Sequence, residues 1–262
     1  MEFSVDGKRV FAATGGRPPK PEMPTVIFVH GAGMDHTVWM LQTRFFAHHG
    51  RNVLAIDLPG HGRSEGPALT SIGEMAEWLL RFLDAAGLDK AAVVGHSMGA
   101  LVSLEAAARA PLRIWALGLL GAAARMPVHP DLLEAARAGE HSAIDLVASW
   151  GFGRRAHFGG ARAPGQWMMG AGIRLLERAE NGLLGVDLGA CDAYQTAAEA
   201  AGKVTCPVLI VAGAIDRMTS VKGARELAQK FASARVVVIP GAGHMMMVEQ
   251  PDRTLDALAE IV

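Results

Sequence analysis

Ala91-Ala92-Val93-Val94-Gly95-His96-Ser97-Met98-Gly99-Ala100, followed by LVSLEAAARA to Ala110, decides how the chain is read. The apolar run predicts a buried strand, the alanine-rich run predicts a helix, and Gly-His-Ser-Met-Gly lies where one gives way to the other. A G-x-S-x-G between strand and helix predicts a nucleophile elbow, in which a tight turn exposes a serine hydroxyl at the end of a sheet. Both glycines have a steric reason, because the turn strains the serine backbone and side chains two residues to either side would collide with neighbouring elements. The plainer reading, in which Ser97 only caps the helix, does not require the flanking glycines.

Working outward, further strand-like runs recur at Thr25–His30, Val53–Asp57, Ile114–Leu120, Pro207–Gly213 and Arg235–Pro240, with helical stretches between them. Unbroken apolar strands alternating with helices predict a parallel sheet covered on both faces. Two short runs around Asp6-Gly7 predict a hairpin, and with it an antiparallel edge. From 122 to 202 the strand signals stop and helical stretches take over, at Asp131–Ala138, Gly172–Ala179 and Ala190–Ala201. The expected organisation is therefore an α/β core in two parts, 1–121 and 203–262, with a helical cap inserted as 122–202. Trp150, Phe152, Phe158, Trp167, Met168 and Met169 fall in this insertion. Most such large apolar residues glue a lid to a core, and some face a cavity. The cap is expected to set substrate preference and to take little direct part in chemistry.

A serine hydroxyl is a poor nucleophile at neutral pH, so Ser97 needs a base and an acid to orient that base, in the chain order Ser, Asp or Glu, His. Asp216 follows the strand PVLIVAG, and His244 follows RVVVIP, each at the end of the strand where open α/β sheets collect reactive groups. Asp57 also ends a strand, but it opens the turn-rich stretch Asp57–Ser64 upstream of Ser97, so its expected role is to hold that loop. His96 should point away from the nucleophile, His61 is expected at the pocket wall, and His48 and His49 at the surface. An oxyanion hole requires backbone N–H groups where charge develops. The loop His30-Gly31-Ala32-Gly33 and the start of the helix after Ser97 predict the amides of Ala32 and Met98 as donors. Gly31, Trp150, Trp167, Met168 and Met245 complete the predicted substrate contacts.

These four motifs together resemble the α/β-hydrolase superfamily. That resemblance implies a mostly parallel eight-stranded sheet with helices on both faces and a helical cap after the sixth strand. The sequence looks most like capped bacterial serine esterases, cofactor-free haloperoxidases and carbon–carbon bond hydrolases. Related epoxide hydrolases and haloalkane dehalogenases carry an aspartate where Ser97 stands, and the former also use two cap tyrosines, whereas Tyr194 is the only tyrosine here.

Composition narrows the remaining classes. With 25 Lys and Arg against 26 Asp and Glu, the formal charge of -1 creates no field to attract nucleic acid or an anionic membrane. The expected partner is a small, ester-like molecule. Two cysteines, Cys191 and Cys206, make neither a disulfide framework nor a zinc pair. The N-terminal residues lack a leader pattern, and no window reaches the roughly 18 apolar residues of a membrane span, so a cytoplasmic location is expected. Neither metal nor organic cofactor is required. A dinucleotide-binding reading of Gly31-Ala32-Gly33 fails at the third glycine, where His36 stands, and leaves Ser97, Asp216 and His244 unexplained. A ligand-sensing protein that keeps the same constellation with slow turnover is the other alternative.

Overall fold

The computed structural model describes residues 1–160 and 166–262. Its single sheet has eight strands: β1 (Glu2–Val5), β2 (Lys8–Ala13), β3 (Thr25–Val29), β4 (Asn52–Ile56), β5 (Ala91–His96), β6 (Ile114–Leu120), β7 (Val208–Gly213) and β8 (Ala234–Ile239). In space they run β1-β2-β4-β3-β5-β6-β7-β8. β1 pairs antiparallel with β2 through a turn in which Asp6 and Gly7 both have positive φ, as the hairpin reading requires. β2 also runs antiparallel to β4, and every later pairing is parallel.

Helices α1 (Met40–His48), α2 (Ile72–Ala85) and α3 (Met98–Arg109) connect the first strands. Between β6 and β7 come α4 (Pro130–Arg137), α5 (His141–Gly151), α6 (Arg154–His157), α7 (Met168–Glu177), α8 (Leu183–Ala193) and α9 (Ala197–Ala201). No strand occurs there among the described residues, and 161–165 of this stretch lie outside them. α10 (Val221–Ala228), α11 (Met246–Glu249) and α12 (Pro251–Leu258) complete the chain. The helix read across Ala190–Ala201 is two helices, α8 and α9, parted at Tyr194–Thr196. Strands β3, β4, β5 and β7 are buried at every residue, which is why they are apolar except at Thr25, Asn52 and His96 at their ends and do not alternate.

Sheet order places β5 between β3 and β6, so Ser97 leaves the middle of the sheet. Its φ of 53° is the left-handed backbone that a β-carbon disfavours, and its amide donates to Leu120 O at 2.8 Å. A β-carbon on Gly95 would fall on the Gly99 carbonyl, and one on Gly99 on the carbonyls of Val29 and His30. The strand-to-helix corner therefore closes only with glycine at both places. Ser97 makes no side-chain capping bond to α3, so the capping explanation of this serine fails.

Asp57 holds its loop, as expected. Fully buried, it accepts from the His36 amide at 2.7 Å, His36 Nδ1 at 2.9 Å and the Arg63 amide at 2.9 Å. Burial alone would push this carboxyl up, but the His36 and Arg63 hydrogen bonds hold it below its ordinary value. Nearby, Ser64 Oγ donates to the Asp57 carbonyl and accepts from Phe11 N, which ties the loop to β2. Asp57→Asn would turn an amide NH2 toward donors on one side, so it should cost about 1–3 kcal/mol of stability. Turnover per folded molecule should change less than about twofold, as thermal melting and active-site titration would check.

Candidate active site

The corner at Ser97, the loop after β7 and the loop after β8 converge at one end of the sheet. Asp216 and His244 meet there, with Asp216 Oδ2 2.8 Å from His244 Nδ1. Asp216 Oδ1 accepts from the amides of Met218 and Thr219, and the Thr219 hydroxyl donates to Oδ2 at 2.7 Å. Burial would raise the Asp216 carboxyl, but attraction to His244 and these hydrogen bonds outweigh it and bring it to about 2. A carboxylate facing Nδ1 keeps the proton on that nitrogen and leaves Nε2 as the basic atom. Nε2 is buried and has no partner among the described residues. It shares a cavity wall with Ser97, whose side chain is also free of hydrogen bonds there.

The cavity has an outer lobe of about 310 Å³ and an inner lobe of about 30 Å³. Ala32, Ser97, Leu188, Met218 and His244 line both, so the lobes meet at the serine. The inner lobe is walled by apolar residues that include Val147, Leu176, Leu184 and Met245. Trp150, His129 and Arg217 line the outer one. Arg217 has no ion-pair partner among the described residues.

Residues 26–257 match the sequence pattern of the alpha/beta hydrolase family. This chain belongs to that family. Among characterised proteins it is 26% identical to a 3-oxoadipate enol-lactonase of Acinetobacter baylyi, over 91% of this chain and 88% of that one. It is 41% identical over 119 residues to the dihydrolipoyllysine-residue acetyltransferase component of the acetoin cleaving system of Cupriavidus necator. That match covers 44% of this chain and spans only 30% of the relative's length. Among solved structures, a thermophilic esterase superposes with a TM-score of 0.80 at 29% identity, covering 99% of this chain and 95% of the other. The enol-lactonase of Burkholderia xenovorans superposes with a TM-score of 0.88 at 24% identity over 98% of both chains, a likeness of fold.

The hydrolase holds its histidine loop partly through the helical segment. Gly151 O, at the end of α5, accepts from the amides of His244 at 2.7 Å and Met245 at 3.3 Å. Glu249 bridges the same two parts, accepting from Gly153 N at 2.8 Å and Gly243 N at 3.0 Å. On its other side the His244 ring needs Gly121, where a β-carbon would come within 2.8 Å of Cε1. The segment expected to set substrate preference thus also bonds the loop that carries His244. Thr219, Glu249 and Gly151 went unrecognised because a threonine three residues after an aspartate, a surface-type glutamate and a backbone carbonyl carry no pattern of their own.

Ala32 lines both lobes, and Met98 opens α3, where first-turn amides have no helical acceptor. Neither amide donates to another group among the described residues. Trp150 and Met245 lie on the cavity wall. Three expected substrate contacts do not. Gly31 packs beneath His96, where a β-carbon would stand 2.8 Å from Nδ1. Trp167 sits 52% exposed ahead of α7, and half-buried Met168 packs on the core. His61 is likewise no wall residue, since its ring is buried against Asp187 and His30. His96 packs its ring against that of His244, with centroids 4.7 Å apart and Nε2 donating to His244 O. His48 and His49 are exposed. Asp35, His36 and Asp57 bring ligand-type atoms within 4.8 Å of one another, but these atoms already bond His36, Thr37, Arg63 and Arg178. Among the described residues no helix is long and apolar enough to cross a membrane.

Asp216→Asn keeps the shape but offers His244 an amide that can stabilise the wrong tautomer, so turnover should fall by about 10,000-fold, as in the equivalent change in a serine protease. The wild-type carboxylate, depressed in the folded state, stabilises the fold above about pH 4 and loses that contribution as pH falls toward 2. The variant should therefore show a shallower loss of stability across that acid window, which denaturant melts at each pH would measure.

Proposed function

We propose that this protein is a serine hydrolase that cleaves a small carboxylic ester, open or cyclic, through an acyl-enzyme. The observation that carries the reading is the basic Nε2 of His244, without a partner among the described residues, on the wall of the cavity that Ser97 also lines, with Asp216 behind it. His244 takes the Ser97 hydroxyl proton as Oγ bonds to the ester carbonyl carbon. Negative charge gathers on the carbonyl oxygen and is held by the N–H groups of Ala32 and Met98. Collapse breaks the bond to the alcohol oxygen, which leaves with the proton from His244, and water repeats the sequence to release the acid.

Esterase and enol-lactonase relatives matched over most of both chains support ester chemistry. The apolar inner lobe suits a short, uncharged acyl group, and the larger lobe, with Trp150 on its wall, suits the alcohol part. In this reading the helical segment is a cap, Trp150 and Met245 contact substrate, and no cofactor takes part.

A fluorophosphonate probe should label one residue, Ser97, because only an activated serine beside oxyanion donors reacts readily with it. Peptide mass spectrometry would locate the adduct, and labelling elsewhere or none on folded protein would overturn the assignment. In a series of 4-nitrophenyl esters, acetate to butyrate should be cleaved at least about tenfold faster than decanoate, since each methylene that does not fit is worth about 1–3 kcal/mol.

A further inference from the structure

Asp187 is a buried acid outside the triad that the mechanism above does not use. It lies on α8, in the helical segment, and is fully buried. One carboxylate oxygen, Oδ2, accepts from Gly33 N at 2.8 Å and stands 2.8 Å from His61 Nε2. The other, Oδ1, is buried without a partner among the described residues. A single side chain of the insertion therefore reaches two loops of the sheet, and one of its bonds is to the residue next to Ala32.

The protonation of this cluster follows from its partners. His61 Nδ1 lies 3.0 Å from the carbonyl oxygen of Pro59, and Nε2 faces the Asp187 carboxylate, so both ring nitrogens meet acceptors. With Asp187 ionised, both carry a proton, which makes the pair an imidazolium and a carboxylate. Three other titratable groups face it among the described residues: the Cys191 thiol, which burial and the charge of Asp187 keep protonated, His30 and Asp57. His30 is neutral, since its Nε2 accepts from Leu58 N and its Nδ1 donates to Gly31 O. Asp57 adds a second negative charge nearby. Burial alone would lower His61, but the attraction of Asp187, its hydrogen bond and Asp57 together raise it above its ordinary value.

We propose that Asp187 is a positioning residue for the oxyanion loop: from the helical segment it fixes Gly33 N and a protonated His61, and so holds the Ala32 amide toward the carbonyl oxygen of the substrate. This rests on the serine hydrolase reading. Removing an oxyanion donor outright costs about 100- to 1,000-fold in kcat, so a donor left in place but loosened should cost less. Above the raised value of His61 the imidazole loses a proton and turns a lone pair toward one of its two acceptors. The loop should then loosen, and rate and stability should fall together as pH rises through that value.

The test uses the full chain with 4-nitrophenyl acetate, and Ser97→Ala as a control on the underlying reading. Asp187→Leu, similar in volume but unable to accept, is expected to lower kcat about 10- to 100-fold with KM within about threefold. Asp187→Asn, with its amide oxygen in the place of Oδ2, can still accept from Gly33 N and from Nε2–H of a neutral His61, so kcat should stay within about fivefold of wild type. It should also lose the alkaline fall in kcat that the wild type shows. A folded Asp187→Leu with a lower Tm and unchanged kcat would overturn the proposal, as would an Asn variant as impaired as the Leu one. Should Asp187→Leu fail to fold, the Asn pH profile decides, and persistence of the alkaline fall refutes the role. Turnover surviving in Ser97→Ala would instead bring down the hydrolase reading itself.

Discussion

A serine in left-handed backbone geometry, between a strand and a helix that are both buried, sets the terms for the rest of the molecule. The corner cannot close unless Gly95 and Gly99 lack side chains, because each packs against a carbonyl oxygen where a β-carbon would stand. It is also held from β6, whose Leu120 carbonyl receives the Ser97 amide. Such backbone strain costs of order 1–3 kcal/mol and persists only where its surroundings over-determine it. In return the hydroxyl projects from the middle of the sheet, where the loops after β3, β7 and β8 can reach it.

The helical segment between β6 and β7 belongs to this arrangement more closely than a detachable lid would. Gly151 and Glu249 bond it to the loop of His244, and Asp187 bonds it to the loop of Ala32 and to His61. The loops of His244 and Ala32 are therefore both held, in part, from the same insertion. α5 and α8 thus bear on the loops of His244 and Ala32 as well as on the cavity wall.

Much of this was readable from local pattern. Apolar runs marked the strands because burial on both faces removes alternation, and the elbow showed itself because its steric demands fall on residues two apart. Asp216 and His244 were found by their place at strand ends and their order in the chain. Trp167 misled because aromatic character does not distinguish a wall residue from one left exposed at the start of α7. The His61–Asp187 pair joins residues 126 positions apart, and neither belongs to a motif that names the other. Gly151 acts through its carbonyl, which every residue possesses. What escaped was set by three-dimensional proximity or by backbone groups, and neither leaves a mark on side-chain identity.

The central claim is that Ser97 itself carries the acyl group during turnover. Its most direct test is rapid acid quenching of a reaction with 4-nitrophenyl acetate, followed by intact mass and peptide mapping. One acetyl group is expected on Ser97 within the first turnover, and none in Ser97→Ala, which should not turn over. Steady hydrolysis by wild type with no acetyl on Ser97 at any quench time, or undiminished hydrolysis by Ser97→Ala, would contradict the account.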